Sequence, residues 1–153
     1  MKTFTTWAVM LSFCIAFCLF SPHIHAQPQS DVYDSGSVWT LSTIRIDANM
    51  DDEYLTRLRH TWLATMDEAK KEELVLDYKI LKGQASNKED FNLLLMVEFS
   101  NMASLDPDAE RDAKWNAIRE RVSARPDFKE IVQSYGEMRQ LFGQKMMREI
   151  YLK

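Results

Sequence analysis

An α+β fold, with one antiparallel four-stranded sheet and helices on one of its faces, is predicted from three observations. Short runs rich in β-branched and aromatic residues are interspersed with longer runs of helical periodicity, in the order β-α-β-β-α-α-β. Turn and cap residues, among them Asn49, Gly83, Asp106-Pro107, Pro126 and Gly143, punctuate those runs. Alternation within the strands gives one strongly apolar face and one mixed face. The element order is that of the ferredoxin-like split βαβ unit with an extra helix before the last strand. Its helices belong on one face of an antiparallel sheet.

The N-terminus carries Lys2, an apolar run from Trp7 to Phe20, and a polar segment ending in the small residue Ala26. This is the pattern of a secretory signal peptide over 1–26, cleaved after Ala26. The run is shorter than the roughly 20 residues a membrane-spanning helix needs. Cys14 and Cys18 each follow a bulky Phe, which does not suit lipid attachment. The mature protein is therefore expected to be exported, periplasmic or secreted, and free of the membrane. Cleavage removes both cysteines, Lys2, His23 and His25, so the mature chain is slightly more acidic than the net −4 of the whole. A cysteine-free chain with one histidine has no disulfide framework, thiol nucleophile or Cys/His zinc site. With charges mixed along it and no basic block, nucleic acid is not an expected partner.

Residues 27–36 are polar and turn-rich and read as a flexible tail. The domain is then 37–153. Val38–Ile46 reads as the first strand. Asn49 is the expected cap of a helix running to Glu72, with Asp51, Asp52 and Glu53 in its first turn. Its core stripe is Leu55, Leu58, Trp62, Met66 and Ala69. Leu74–Lys82 is the second strand and Gly83–Asp90 a polar loop. Phe91–Phe99, apolar on both faces, is the third strand and central in its sheet. Asn101–Leu105 forms a short helical turn, and Asp106-Pro107 starts a helix with the stripe Trp115, Ile118 and Val122. Pro126 ends it. A further stripe, Phe128, Ile131, Val132, Tyr135, Met138 and Phe142, predicts a helix closed by Gly143. Lys145–Leu152 is the last strand.

One face carries Val38, Thr40, Ser42, Ile44 and Ile46, with Leu74, Leu76, Tyr78 and Ile80. Phe91, Leu93, Leu95, Val97, Phe99, Ile150 and Leu152 complete this helix-covered face. The other carries Trp39, Leu41, Thr43, Arg45, Asp77, Lys79, Asn92, Leu94, Met96, Glu98, Met147, Glu149 and Tyr151. That second face is too apolar for water and too charged for a dry core. Such a face suits a subunit interface around a partly polar cavity.

The element order, the Leu94–Phe99 strand (Leu-Leu-Met-Val-Glu-Phe) and the closing Arg148–Lys153 segment (Arg-Glu-Ile-Tyr-Leu-Lys) resemble the dimeric α/β-barrel superfamily. The resemblance covers about residues 37–153 and is to uncharacterised exported bacterial members. It implies a homodimer in which two ferredoxin-like subunits join bare sheet faces into one barrel. It also brings in cofactor-free monooxygenases and haem-degrading enzymes as relatives.

The candidate ligand-binding residues are those of the shared cavity: Trp39, Thr43, Arg45, Asp77, Asn92, Met96, Glu98, Glu149 and Tyr151. A carboxylate beside an arginine can abstract a proton or orient a substrate. The competing reading makes Arg45, Glu98 and Glu149 structural ion pairs. Trp39, Asn92, Asp77 and Tyr151 suit stacking on, and hydrogen bonding to, a flat organic molecule. His60 falls opposite the apolar stripe and reads as solvent-exposed. Met96, Met146 and Met147 read as adaptable filling rather than a copper site. Asp51-Asp52-Glu53 lacks the spacing of a calcium loop. No P-loop, dinucleotide fingerprint, nucleophile elbow or HExxH motif occurs. No metal and no cofactor is expected. Three functions remain: an exported homodimer holding a small organic ligand, a cofactor-independent oxygenase or isomerase using the same cavity, and a structural dimer without ligand.

Overall fold

The computed structural model describes residues 30–153, and the expected leader and cleavage point lie outside them. The elements, in order, are β1 (Tyr33–Ile46), α1 (Asp51–Leu58), a π-helical segment (Arg59–Leu63), α2 (Ala64–Lys71), β2 (Asp77–Lys82) and β3 (Leu93–Phe99). A 3-10 turn (Met102–Leu105), α3 (Ala109–Ser123), α4 (Phe128–Met138) and β4 (Arg139–Leu152) follow. The strands form one antiparallel sheet in the order β2-β3-β1-β4. The fold is ferredoxin-like, and β3 is central as its two apolar faces require.

Helices cover one face in two blocks. At one end, Ile44, Ile46, Leu93 and Leu95 pack with Tyr54, Leu58 and Met138, joined by Trp62, Ile80 and Tyr135. At the other, Phe99 and Val97 meet Ala69, Leu74, Val75, Ile118, Val122 and Trp115. Even positions of β1 and odd positions of β3 thus face the helices, as alternation predicts. Trp62 meets Tyr78 edge-on, with centroids 5.6 Å apart. No helix among the described residues is long and apolar enough to cross a membrane.

Several boundaries differ from expectation for identifiable reasons. Tyr33–Gly36, expected in the flexible tail, is strand, because its backbone pairs with β4 from Tyr33↔Leu152 inward. Asn49 is not a cap. It adopts φ 67° in the turn, while Met50 takes the cap position without a side-chain bond. The expected single α-helix to Glu72 widens into a π-turn at Arg59–Leu63. Thr61 Oγ1 donates to the Arg57 carbonyl (3.1 Å) and Thr65 Oγ1 to the Thr61 carbonyl (2.9 Å), and such back-bonding competes with the regular ladder. Tyr54 and Thr61 are buried in the core, while Leu55 and Trp62 are half-buried. β2 begins at Asp77 and β3 at Leu93, so Leu76 and Phe91 are exposed rather than under the helices.

Asp108, not Asp106, caps α3 by accepting from the Arg111 amide. Gly143 closes no helix. α4 ends at Met138, whose carbonyl accepts from the Asp47 amide (2.9 Å), and extended Arg139 opens a strand of 14 residues. Arg139 stays on the helix side, its guanidinium 5.3 Å from the Tyr135 ring and 5.9 Å from that of Tyr54. Ile150 and Leu152 do not meet the helices. β3 pairs with β1 only from Val38 on, so β1 and β4 run past the four-stranded sheet as a two-stranded arm. There Ile150 is 49% and Leu152 77% exposed.

Candidate functional site

The sheet face away from the helices can be laid out in rows, because residues directly opposite each other share a face. One row runs Asp77, Glu98, Trp39, Met147 across β2, β3, β1 and β4. The next runs Lys79, Met96, Leu41, Lys145, and the one beyond it Leu81, Leu94, Thr43, Gly143. Arg45 lies past these, opposite Gln140. In the other direction Glu149 and Tyr151 continue along the arm. A bulge at Gly36-Ser37 separates the Ser35↔Ile150 pair from Val38↔Arg148.

The expected residues divide into those that shape this face and those consumed by the fold. Trp39 is half-buried, and the Lys79 ammonium sits 4.7 Å from its ring centroid. Glu149 accepts from the Ser37 hydroxyl (3.2 Å). Its carboxylate is hydrogen-bonded to Tyr151 and, with the charge of Glu98, holds that phenol's pKa above the ordinary range. Trp39, Met96, Glu98, Glu149 and Tyr151 therefore belong to one contiguous region.

Arg45 does not join them. Its Nη1 donates to the carbonyls of Asn87 (2.5 Å) and Asp90 (3.1 Å), tying down the loop between β2 and β3. From Trp39 to Arg45 is roughly 20 Å of extended strand at about 3.3 Å per residue. The expected arginine–carboxylate pair with Glu98 or Glu149 is thus impossible within one protomer. Asn92 prolongs the ladder while also lining a groove at that end of the face. Its Oδ1 accepts from the Ile46 amide (2.8 Å) and its Nδ2 donates to the Ile46 carbonyl (3.0 Å). Asp77 is held by Lys70 Nζ (2.7 Å), which lowers its pKa, with help from the Tyr78 amide. Thr43 Oγ1 donates to the Gly143 carbonyl (3.2 Å).

Sequence reasoning passed over Lys145, Ser37 and Leu81. Alternation back from Met147 and forward from Lys79 reaches the first and last. Ser37 needed the bulge, which alternation does not reveal. His60 is exposed, as expected, and its carbonyl accepts from Arg125 Nη1 (3.0 Å).

Two grooves touch the region. One, of about 280 Å³, is lined by Leu81, Gly83, Asp90, Phe91, Asn92 and Leu94, among others. The other, of about 450 Å³, follows the β1–β4 pair at Thr40–Ser42 and Gln144–Met146. Both are open to solvent, so one protomer alone offers a platform rather than an enclosed chamber.

No family model matches the chain, and no curated protein matches it. Solved structures do. HapK from Hahella chejuensis aligns with 12% identity and a TM-score of 0.43, covering 73% of this chain and 91% of its own. A protein described as dimeric ferredoxin-like, from an uncultured marine organism, aligns with 14% identity and a TM-score of 0.42, covering 78% and 90%. A Bacteroides fragilis protein, described as dimeric, of unknown function and of ferredoxin-like fold, aligns with 11% identity and a TM-score of 0.40, covering 76% and 97%.

The chemistry of the face follows from its own residues. It offers an aromatic plane at Trp39, thioethers at Met96 and Met147, and aliphatic surface at Leu41 and Leu94. It also offers two carboxylates with a neutral phenol between β3 and the arm. Such a surface can stack a flat apolar body and hydrogen-bond its polar groups.

Proposed function

We propose that this protein is an exported homodimer whose two open sheet faces enclose a small, fairly apolar organic ligand. The observation that supports the reading best is the composition of the open face. Leu41 is 8% exposed, but Met147 and Tyr151 on the same face are 50% and 56% exposed, and Leu81 53%. An apolar surface of this kind, interrupted by Glu98, Glu149, Lys79 and Lys145, is costly in water and too charged to be a closed core. A second copy of the face covers it and leaves polar groups pointing into the space between. Export rests on the leader pattern of residues 1–26. The enzyme alternative loses its arginine within one protomer, since Arg45 is engaged with the loop carbonyls.

The test uses protein purified from whole cultures of its native host, cells and medium fractionated separately. Native mass spectrometry should give a chain starting at Gln27, a dimer, and a retained small molecule that Glu98→Gln weakens. A monomer would remove the interface reading. A ligand-free dimer from the host would leave the structural alternative, and a chain starting at Met1 would remove export.

A further inference from the structure

Two strands end the sheet, β2 and β4. β2 spans 6 residues and carries Lys79 and Lys82, the protection that natural edges use. β4 spans 14 residues without a proline, and its outer backbone groups have no strand partner among the described residues. An edge this long is a template for another strand. Exposed Met146, Met147, Ile150 and Tyr151 flank it. The register shift next to Gly143 leaves Gly143–Tyr151 as a regular run, with Met147 at its midpoint. Its charges are placed symmetrically, since Lys145 and Glu149 each lie two residues from Met147 and share its face. Among the described residues Lys145 has no acidic partner. Glu149 is held by the neutral hydroxyls of Ser37 and Tyr151, which leave its charge unmatched.

We propose that two copies join edge to edge, β4 against β4, antiparallel about a two-fold axis that passes beside Met147 normal to the sheet. Such an axis leaves the two faces unexchanged, so residues of one face meet residues of the same face. Lys145 then lies directly opposite the partner's Glu149, and Glu149 opposite the partner's Lys145. Met147 meets its own equivalent, and bulky Tyr151 falls opposite Gly143, which has no side chain. The neighbouring registers are worse. Centring the axis on Met146 loses both ion pairs. Centring it on Lys145, Arg148 or Glu149 sets a charge against its own copy, and like charges directly opposite are destabilising. The sequence of the edge therefore selects one self-complementary register. This contact lies in the plane of the sheet, apart from the open face, and does not depend on the reading above. Where the open faces also dock, the edge joins two such dimers.

Charge reversal and amide exchange test the contact together. Sedimentation equilibrium at low and high salt compares wild type, Lys145→Glu, Glu149→Lys and an equal mixture of the two variants, with circular dichroism to check the fold. Each variant alone should lose about tenfold or more of the edge association at low salt, and less at high salt. The mixture should recover most of the loss, because opposite charges again face each other at both pairs. Hydrogen exchange resolved to single amides then separates edge from face. In wild type, the alternate amides of Gly143–Tyr151 that do not bond to β1 should exchange slowly when the protein is associated and fast when it is diluted to protomers. Fast exchange of those amides in the associated protein overturns the edge contact while leaving the face-to-face dimer standing. A mixture that associates no better than its components does the same. A wild-type protein that is monomeric overturns both. If a variant unfolds, the amide exchange of the wild type decides by itself.

Discussion

Tyr54 is 1% exposed, and its ring lies 5.3 Å from that of Tyr135. Burial pushes its pKa up from 10.0 to about 12. In the unfolded chain the phenol ionises near its ordinary value. Below that pH both states keep the proton and the contribution to stability is complete. Between about pH 10 and 12 only the unfolded chain releases it, so stability falls, by up to roughly 2–3 kcal/mol. Urea unfolding at stepped alkaline pH should show that decline, and Tyr54→Phe should flatten it. An unchanged slope in the variant would assign the decline to other groups. Single residues also mark the limit of reading side-chain chemistry from sequence. Arg45 and Asn92 have the right functional groups and lie near a cavity face. Their bonds go to loop carbonyls and to the Ile46 backbone, partners more than forty positions away that no local pattern names.

At the level of elements, periodicity located the helices and strands of the described residues, and apart from the π-turn inside the first helix the errors cluster at their ends. Helix stripes and strand alternation are averaged over many residues, so they survive local exceptions. Caps and bulges depend on a few hydrogen bonds and on the neighbouring strand. β4 illustrates the difference. Its glycine resembles a helix stop, yet Gly143 pairs with Thr43 near a register shift, and an added Cβ would meet only the Thr43 hydroxyl, at 3.7 Å. Gly36, in the other bulge, is different. A Cβ there would lie 2.8 Å from the Tyr151 ring, 3.1 Å from Glu149 Cβ and 3.2 Å from the Glu149 carbonyl oxygen. Gly36→Ala should therefore destabilise by about 1–3 kcal/mol through overpacking, while Gly143→Ala should stay within about 0.5 kcal/mol of wild type. Thermal denaturation of the pair checks this, and equal losses would show that the close approach at the arm carries no cost.

On the scale of the whole molecule, the helices of the described residues cover the sheet on one side only. Met147, on the bare side and 50% exposed, has little to lose in a lone protomer but lies within the proposed interface. Met147→Asp should abolish the dimer in size-exclusion chromatography with light scattering, while changing protomer stability by less than about 1 kcal/mol. A dimer that persists would move the interface elsewhere. The division of the strands into a helix-covered face and a bare mixed face was readable from residue order alone, since side chains alternate with a strict period of two. So were the four strands, their ferredoxin-like order and the central place of β3, because hydrophobic pattern constrains them and few topologies satisfy it. Which polar groups on the bare face remain available was decided only in three dimensions. Register sets Glu98 beside Trp39 and puts Arg45 a sheet-length away, and register is a property of paired strands, not of any one of them.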